Sequence, residues 1–396
     1  TVSVIVTDGV DTTEITESFT VTDGSDTVLP TVQILSPIEG AQEEMLVLTA
    51  PTDVIGSVAD DQLTRWTLSL RERGSNGSTL LAEGAAAVDA GTLAQLDPTL
   101  LANGQYLLVL QAWDAGGNTA TDLRPLLIEG DLKVGHFSIT FEDLSVPVSG
   151  IPVSVTRTYD TRRRGAALDF GHGWSVGYQN VRIQESRSPG YAWQLNSYPS
   201  GPLGMVPNYC VESALGNVVS VVLPDGEVEK FVAKAFPECN QGMPFLDVNL
   251  VFEAMDGTHS RLEALNDANG RLINGSIANL DDPGRPIDPD QYRLTTADGR
   301  EFTLDQGFGI RQIHERESGN TITFGTDGIT HSSGLSVTFV RDGAGRITSV
   351  LAPDGSTLGY EYDGNGDLCD DKRALQVLLA QTPADAFCAG LNQRVL

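Results

Sequence analysis

Apolar and polar residues alternate with a period of two over most of this 396-residue chain, and Gly, Pro, Asn or Asp interrupts the alternation at short intervals. That is the pattern of half-buried strands joined by tight turns. Val2, Val4 and Val6 alternate with polar neighbours, Asp8-Gly9 supplies a turn, and Ile15, Phe19 and Val21 resume the series. The spacing predicts a hairpin. Two strands bury no core of their own, so residues 1–26 are expected to be the end of a partial domain in a longer chain.

A second unit is expected over residues 29–130, after the polar stretch Asp23–Thr27. Strands are predicted at Leu46–Ala50, Val54–Val58, Arg65–Arg71 and Tyr106–Trp113, with one helical turn at Asp97–Leu101. The size and strand spacing suit an Ig-like β-sandwich. The run from Gly104 through Tyr106 to Trp113-Asp114, followed by Gly117-Asn118, resembles the last hairpin of bacterial Ig-like and fibronectin type III-like modules. That resemblance implies a fold and no ligand.

From Asp131 the texture changes. Alternating strands lead through Val146-Pro147-Val148-Ser149-Gly150-Ile151-Pro152 to Arg157-Thr158-Tyr159-Asp160, then to Leu168-Asp169-Phe170-Gly171-His172-Gly173-Trp174. Two short units recur downstream. One is Asp-Gly followed by an aromatic strand, as at Asp225-Gly226 to Phe231, Asp298-Gly299 to Phe302 and Asp354-Gly355 to Tyr360. The other is Asp-x-x-Gly-Arg and an apolar residue, as at Asp267 to Leu272 and Asp342 to Ile347. Glycine after aspartate gives the turn a positive φ at little steric cost, and the aromatics stack on the next hairpin. Such hairpins need neighbours to bury their faces, so they are expected in series.

These features resemble the β-shell of RHS/YD-repeat proteins, the family that includes bacterial RHS toxins, insecticidal toxin-complex shells and teneurins. Tyr362-Asp363-Gly364-Asn365-Gly366-Asp367-Leu368 has the Tyr-Asp-x-x-Gly-x-Leu form that names the repeat. The resemblance spans residues 131–368 and implies a long sheet that spirals into a hollow shell. Over residues 369–396 the spacing of Leu375, Val377, Leu378 and Leu379 predicts a short α-helical element. The expected fold class is therefore all-β: an Ig-like sandwich, then a YD-repeat hairpin array, then a short helical element at the C-terminus.

Charge narrows the partners. Acidic residues outnumber basic ones 53 to 25, for a formal charge of −28. That excludes the positive field that nucleic acids and anionic membranes require. No apolar run approaches the ~18 residues of a membrane span, and no membrane insertion is expected. The four cysteines fall as local pairs, Cys210 with Cys239 and Cys369 with Cys388, although the sequence leaves their connectivity open. Their even number points to disulfides, an oxidising compartment and a secreted or cell-surface location.

Reactive constellations are sparse. The chain has no Gly-x-Ser-x-Gly elbow, and His314-Glu315 is followed by Arg316-Glu317-Ser318, not by a second zinc ligand. His136, His172, His259, His314 and His331 are scattered, and His172 reads as a packed turn residue. No catalytic residue or cofactor is expected, and the protein reads as no enzyme. Asp363, Asn365 and Asp367 offer oxygens at alternate positions of a Gly-containing loop, which suits calcium. The bidentate acid of an EF-hand falls on Ala374, however, and the YD turn accounts for the same residues.

Arg162-Arg163-Arg164 and Asp60-Asp61 read as solvated loop charges, and Asp282-Pro283-Gly284 as a turn. The aspartyl self-cleavage element of the toxin branch finds no match. Tyr191 and Trp193 have the chemistry for sugar stacking, but core packing accounts for them better. The expected partners are the rest of a longer chain and an enclosed C-terminal toxin domain. The alternative is an adhesin or carbohydrate-binding protein that meets cell-surface proteins or glycans.

Overall fold

The computed structural model describes residues 2–7, 12–17, 26–37, 46–74, 77–130, 132–135, 137–224 and 226–372. Their regular structure consists of strands and four three-residue 3-10 turns. Val2–Thr7 and Thr12–Glu17 pair antiparallel, with Val2 opposite Glu17.

Residues 31–128 build two sheets around one core. The smaller joins Thr31–Ser36, Thr52–Ala59 and Val88–Leu96. The larger runs in the order Val47–Leu48, Thr119–Ile128, Gly104–Asp114, Leu63–Glu72, Thr79–Gly84. Alternation decides which side chains turn inward. Trp66, Leu68 and Leu70 come from one strand and Tyr106, Leu108, Leu110 and Ala112 from its neighbour. They meet Ile34, Val54, Val58, Leu93 and Leu96 from the facing sheet. The helical turn predicted beside Asp97 is a 3-10 turn at Pro98–Leu100, capped by the Asp97 carboxylate accepting from Thr99 N at 2.9 Å.

Between Arg182 and Lys372 sixteen strands join in one sheet, in which they follow one another antiparallel, mostly in chain order. Its turns use one device repeatedly. Asp342 Oδ1 accepts from the backbone N–H groups of Ala344 and Arg346, both at 2.9 Å. Asp363 Oδ1 does the same for Asn365 and Asp367, again both at 2.9 Å. The glycines inside these turns, Gly345 and Gly366, sit at φ 86° and 91°, where a side chain would be strained.

This sheet curls. The Tyr292 hydroxyl donates to the Glu185 carboxylate, although the strand Gln291–Thr295 stands sixth in order from Arg182–Glu185. Five strand spacings in a flat sheet would put them roughly 24 Å apart. The inward face carries Val219, Phe231, Phe252, Tyr292, Ile329 and Phe339 in one core.

One expectation is corrected. Cys369–Lys372, assigned by sequence to the helical element, continue the sheet as the strand Leu368–Lys372, which pairs with Thr357–Tyr362. The YD turn directs the chain back along the previous strand, so pairing overrides local helix propensity. Leu375, Val377, Leu378, Leu379 and Cys388 lie outside the described residues. In the described residues the concave face is filled by residues 138–180, whose Val153, Val155, Phe170 and Tyr178 belong to the same core as the repeat strands.

The two-sheet unit is fused to the curled sheet through buried polar groups. Gln105 is fully buried; its backbone N–H donates to Gln184 Oε1 at 2.7 Å. Its Nε2 donates to the carbonyls of Gln184 and Val218, at 3.0 and 3.2 Å, and to the Ser220 hydroxyl. Arg73 donates to the Ser186 carbonyl, and Arg182 pairs with Glu72. Gln105→Ala removes the hydrogen bonds that its side chain donates across this dry junction, which costs about 1–3 kcal/mol. Urea unfolding followed by fluorescence is expected to show a lower midpoint for the variant; an unchanged midpoint contradicts the role given to this junction.

Candidate functional site

The segment filling the concave face is itself a small sheet: Ser138–Val146 pairs with Val153–Asp160, which pairs with Trp174–Val176. Alternation places Val153, Val155 and Arg157 on one inward face. A cation there needs a partner in the core. A bulge between Glu142 and Leu144 supplies one at Asp143. Arg157 Nε meets Asp143 Oδ2 at 2.7 Å, with both side chains almost fully enclosed.

The seam with the repeat array is built on this pair. The Tyr360 hydroxyl donates to the same Asp143 oxygen at 2.8 Å. The Arg157 guanidinium lies 5.1, 5.0 and 6.0 Å from the ring centres of Phe141, Trp174 and Tyr360. Phe170 packs edge-on against Tyr360 at 4.8 Å. The carbonyl of Asp169 accepts from Ile347 N at 2.7 Å, and its carboxylate pairs with Arg341 at 2.7 Å. Gly171, at φ 90°, lies so close to the repeat that a β-carbon would come within 2.6 Å of the Gly366 carbonyl oxygen. His172 Nδ1 stands 3.2 Å from Asp367 Oδ1. Farther along, the Tyr178 hydroxyl donates to the Gly325 carbonyl at 3.1 Å, and its ring packs on Phe308 and Phe324. The Phe-Gly-x-Gly-Trp motif is thus a docking surface for the Tyr-Asp hairpin.

Residues 329–369 match the family model of the RHS repeat. No curated protein matches the chain. The matched RHS repeat covers about a tenth of the sequence and contains Arg341, Ile347, Tyr360 and Asp367, the groups that receive residues 138–180.

The other sequence candidates fall in separate places. Cys210 and Cys239 face each other across paired strands and are joined by a disulfide. Cys369 is also disulfide-bonded, and His136 and Cys388 lie outside the described residues. Of the residues considered for calcium, Asp363 accepts two turn N–H groups through Oδ1, and Asp367 Oδ1 faces His172. Trp193 is buried, its indole donating to the Pro189 carbonyl at 2.8 Å, whereas Tyr191 is exposed. Asp282-Pro283-Gly284 is a turn, closed by Arg285 N on the Asp282 carbonyl at 3.0 Å. Arg162 and Arg163 correct the solvated-loop expectation. Both are half-buried beside Arg182 and Glu72, and burial lowers the pKa of each.

Three groups were not legible in the sequence. Asp26, Asp60 and Asp114 bring carboxylate oxygens within 4.8 Å of one another at one end of the two-sheet unit. Oxygens so placed have the chemistry of a hard-cation site. Here, however, Asp114 accepts from Asn118 N and Nδ2, at 2.8 and 2.9 Å, and Asp60 accepts from Gln62 N at 2.7 Å. A polar cleft of about 510 Å³ is lined by Asn266, Asp267, Asn279, Arg285, Asp288 and Asp290. Asp267 holds it together, accepting from Arg285 at 2.7 Å and from Asp288 N at 2.9 Å.

Glu185 is the third. It accepts from the Tyr292 hydroxyl and from Gln306 Nε2, the latter at 2.7 Å. Burial pushes its carboxyl well above the usual range; the Tyr292 hydrogen bond opposes this and the neighbouring Asp288 adds to it. A carboxyl whose proton affinity is raised by folding contributes stability that is complete below its unfolded pKa and is lost as pH rises through the folded value. Glu185→Gln keeps the shape and the acceptor while removing the charge. The variant is expected to match the parent near pH 4.5. At pH 7.5 it should be the more stable of the two, since the parent must there either ionise a buried carboxyl or hold its proton against the solvent. Urea midpoints across this range test it, and a pH-independent difference would falsify it.

Proposed function

We propose that this chain is a non-catalytic, extracellular part of an RHS protein: an Ig-like stalk joined to the opening of a repeat shell that presents or encloses a C-terminal effector. The observation that carries this reading is the seam, where residues 138–180 seal the concave face of the curled sheet against an RHS repeat. A sheet end closed this way is a rigid floor on which further hairpins can be added.

The Ig-like identity of the stalk is supported by its two facing sheets and by Tyr106, whose hydroxyl reaches back to the Ala102 carbonyl at 3.1 Å. That contact has the form of the tyrosine corner of such sandwiches. Support for an extracellular site comes from the disulfide and the charge of −28. The sugar-binding alternative is weakened by the burial of Trp193, which removes the larger of its two candidate platforms.

The test is limited proteolysis of the native full-length protein with mass-spectrometric readout. Residues 31–372 are expected to survive as part of one resistant body, with any C-terminal passenger cut at least tenfold more slowly than the same passenger alone. A passenger digested at its free rate removes the enclosure reading and leaves display at the surface.

A further inference from the structure

Apart from the curled sheet, the strands Trp193–Ser200, Val206–Ser213 and Cys239–Gln241 form a three-stranded flap clasped by the Cys210–Cys239 disulfide. Two loops meet at its tip: Gly242 N donates to the Pro207 carbonyl at 2.8 Å, and Gln241 Nε2 to Ser200 Oγ at 3.3 Å. The side chains there are apolar and in solvent. Leu203 is 91% exposed, Met205 78% and Met243 68%, with Phe245 and Val206 beside them.

Two further observations set this tip apart. Residues 188–211 and 239–246 contain no Asp, Glu, Lys or Arg, in a chain that is 20% charged. The acids that flank these runs are Glu212, Glu238 and Asp247: Glu212 accepts from Asn196 and from the Tyr198 hydroxyl, the latter at 2.8 Å, Glu238 lies beside Val211, and Asp247 pairs with Arg271. Leu203 also holds φ 61°, a left-handed conformation that is strained for an L-residue. No packing offsets that strain, since the side chain points into water.

We propose that this tip is a peripheral membrane-docking knob that inserts its apolar side chains into the surface of a neutral, zwitterionic bilayer. Shape and charge select this occupant. A convex tip of five side chains offers less than the ~800 Å² per partner of a stable protein interface, so a second copy is a poor match. A bilayer surface closes around a convex apolar tip and buries it without needing a complementary groove. The net charge of −28 opposes anionic lipid, while the uncharged loops at the tip meet no such penalty at a zwitterionic surface. Among the described residues no helix is long and apolar enough to cross a membrane, and the expectation of no insertion is revised only for the tip.

The experiment is flotation of the protein with phosphatidylcholine vesicles, compared with vesicles containing one-third phosphatidylserine. The protein is expected to float with the first and less with the second. Leu203→Asp with Met243→Asp should cut the bound fraction at least tenfold. Leu203→Gly, which relieves the left-handed backbone, should weaken binding several-fold while leaving the urea midpoint equal or higher. That combination separates docking from folding. The proposal is overturned if the parent protein fails to float at millimolar lipid, or if the double variant floats equally well. It is also overturned if light scattering shows a parent dimer that the double variant dissolves, because the tip is then a self-association surface.

Discussion

One buried cation holds this architecture together. Arg157 sits where an apolar side chain would be expected on its strand, and its charge is tolerable only because Asp143 is within hydrogen-bonding distance and three aromatic rings surround it. Breaking such a pair from one side costs about 3–5 kcal/mol, since the survivor stays charged in the core. Tyr360 is drawn into the same network although it lies 217 residues beyond Asp143. Segment and repeat can therefore satisfy these groups only together. We see this mutual dependence as the reason the curled sheet has a closed end.

The remaining structure follows from repetition. Each Asp-x-x-Gly turn satisfies its own backbone donors and returns the chain antiparallel, so strands accumulate without long-range crossings. Each new hairpin adds aromatic or β-branched side chains to one inward face. The two-sheet unit is attached differently, through the fully buried Gln105 and its several acceptors. Such a junction fixes orientation, because buried polar groups are satisfied in one arrangement only.

Much of this was legible in the residues. Period-two alternation located the strands, and Asp-Gly and Asp-x-x-Gly spacings located the turns that Gly345 and Gly366 now occupy. The Phe170-to-Trp174 motif was visible, but its partner was not, because nothing local links Gly171 to Gly366 or Phe170 to Tyr360. A signal for Arg157 existed: the alternation Val153, Val155, Arg157 assigns it to the buried face. Asp143 gave no such signal, since a bulge turns it inward and breaks the period. Glu185 with Tyr292 is invisible for a related reason, since only the curl of the sheet brings its first and sixth strands together. Helical spacing beyond Leu368 misled at Cys369–Lys372, where an open sheet edge outweighs propensity.

The central claim is that residues 138–180 and the RHS repeat are energetically coupled through the oxygen shared by Arg157 and Tyr360. A double-mutant cycle on Asp143→Asn and Tyr360→Phe, read from urea unfolding, measures that coupling directly. Our account predicts an interaction energy of about 1 kcal/mol or more. Additivity of the two substitutions to within about 0.3 kcal/mol would contradict it.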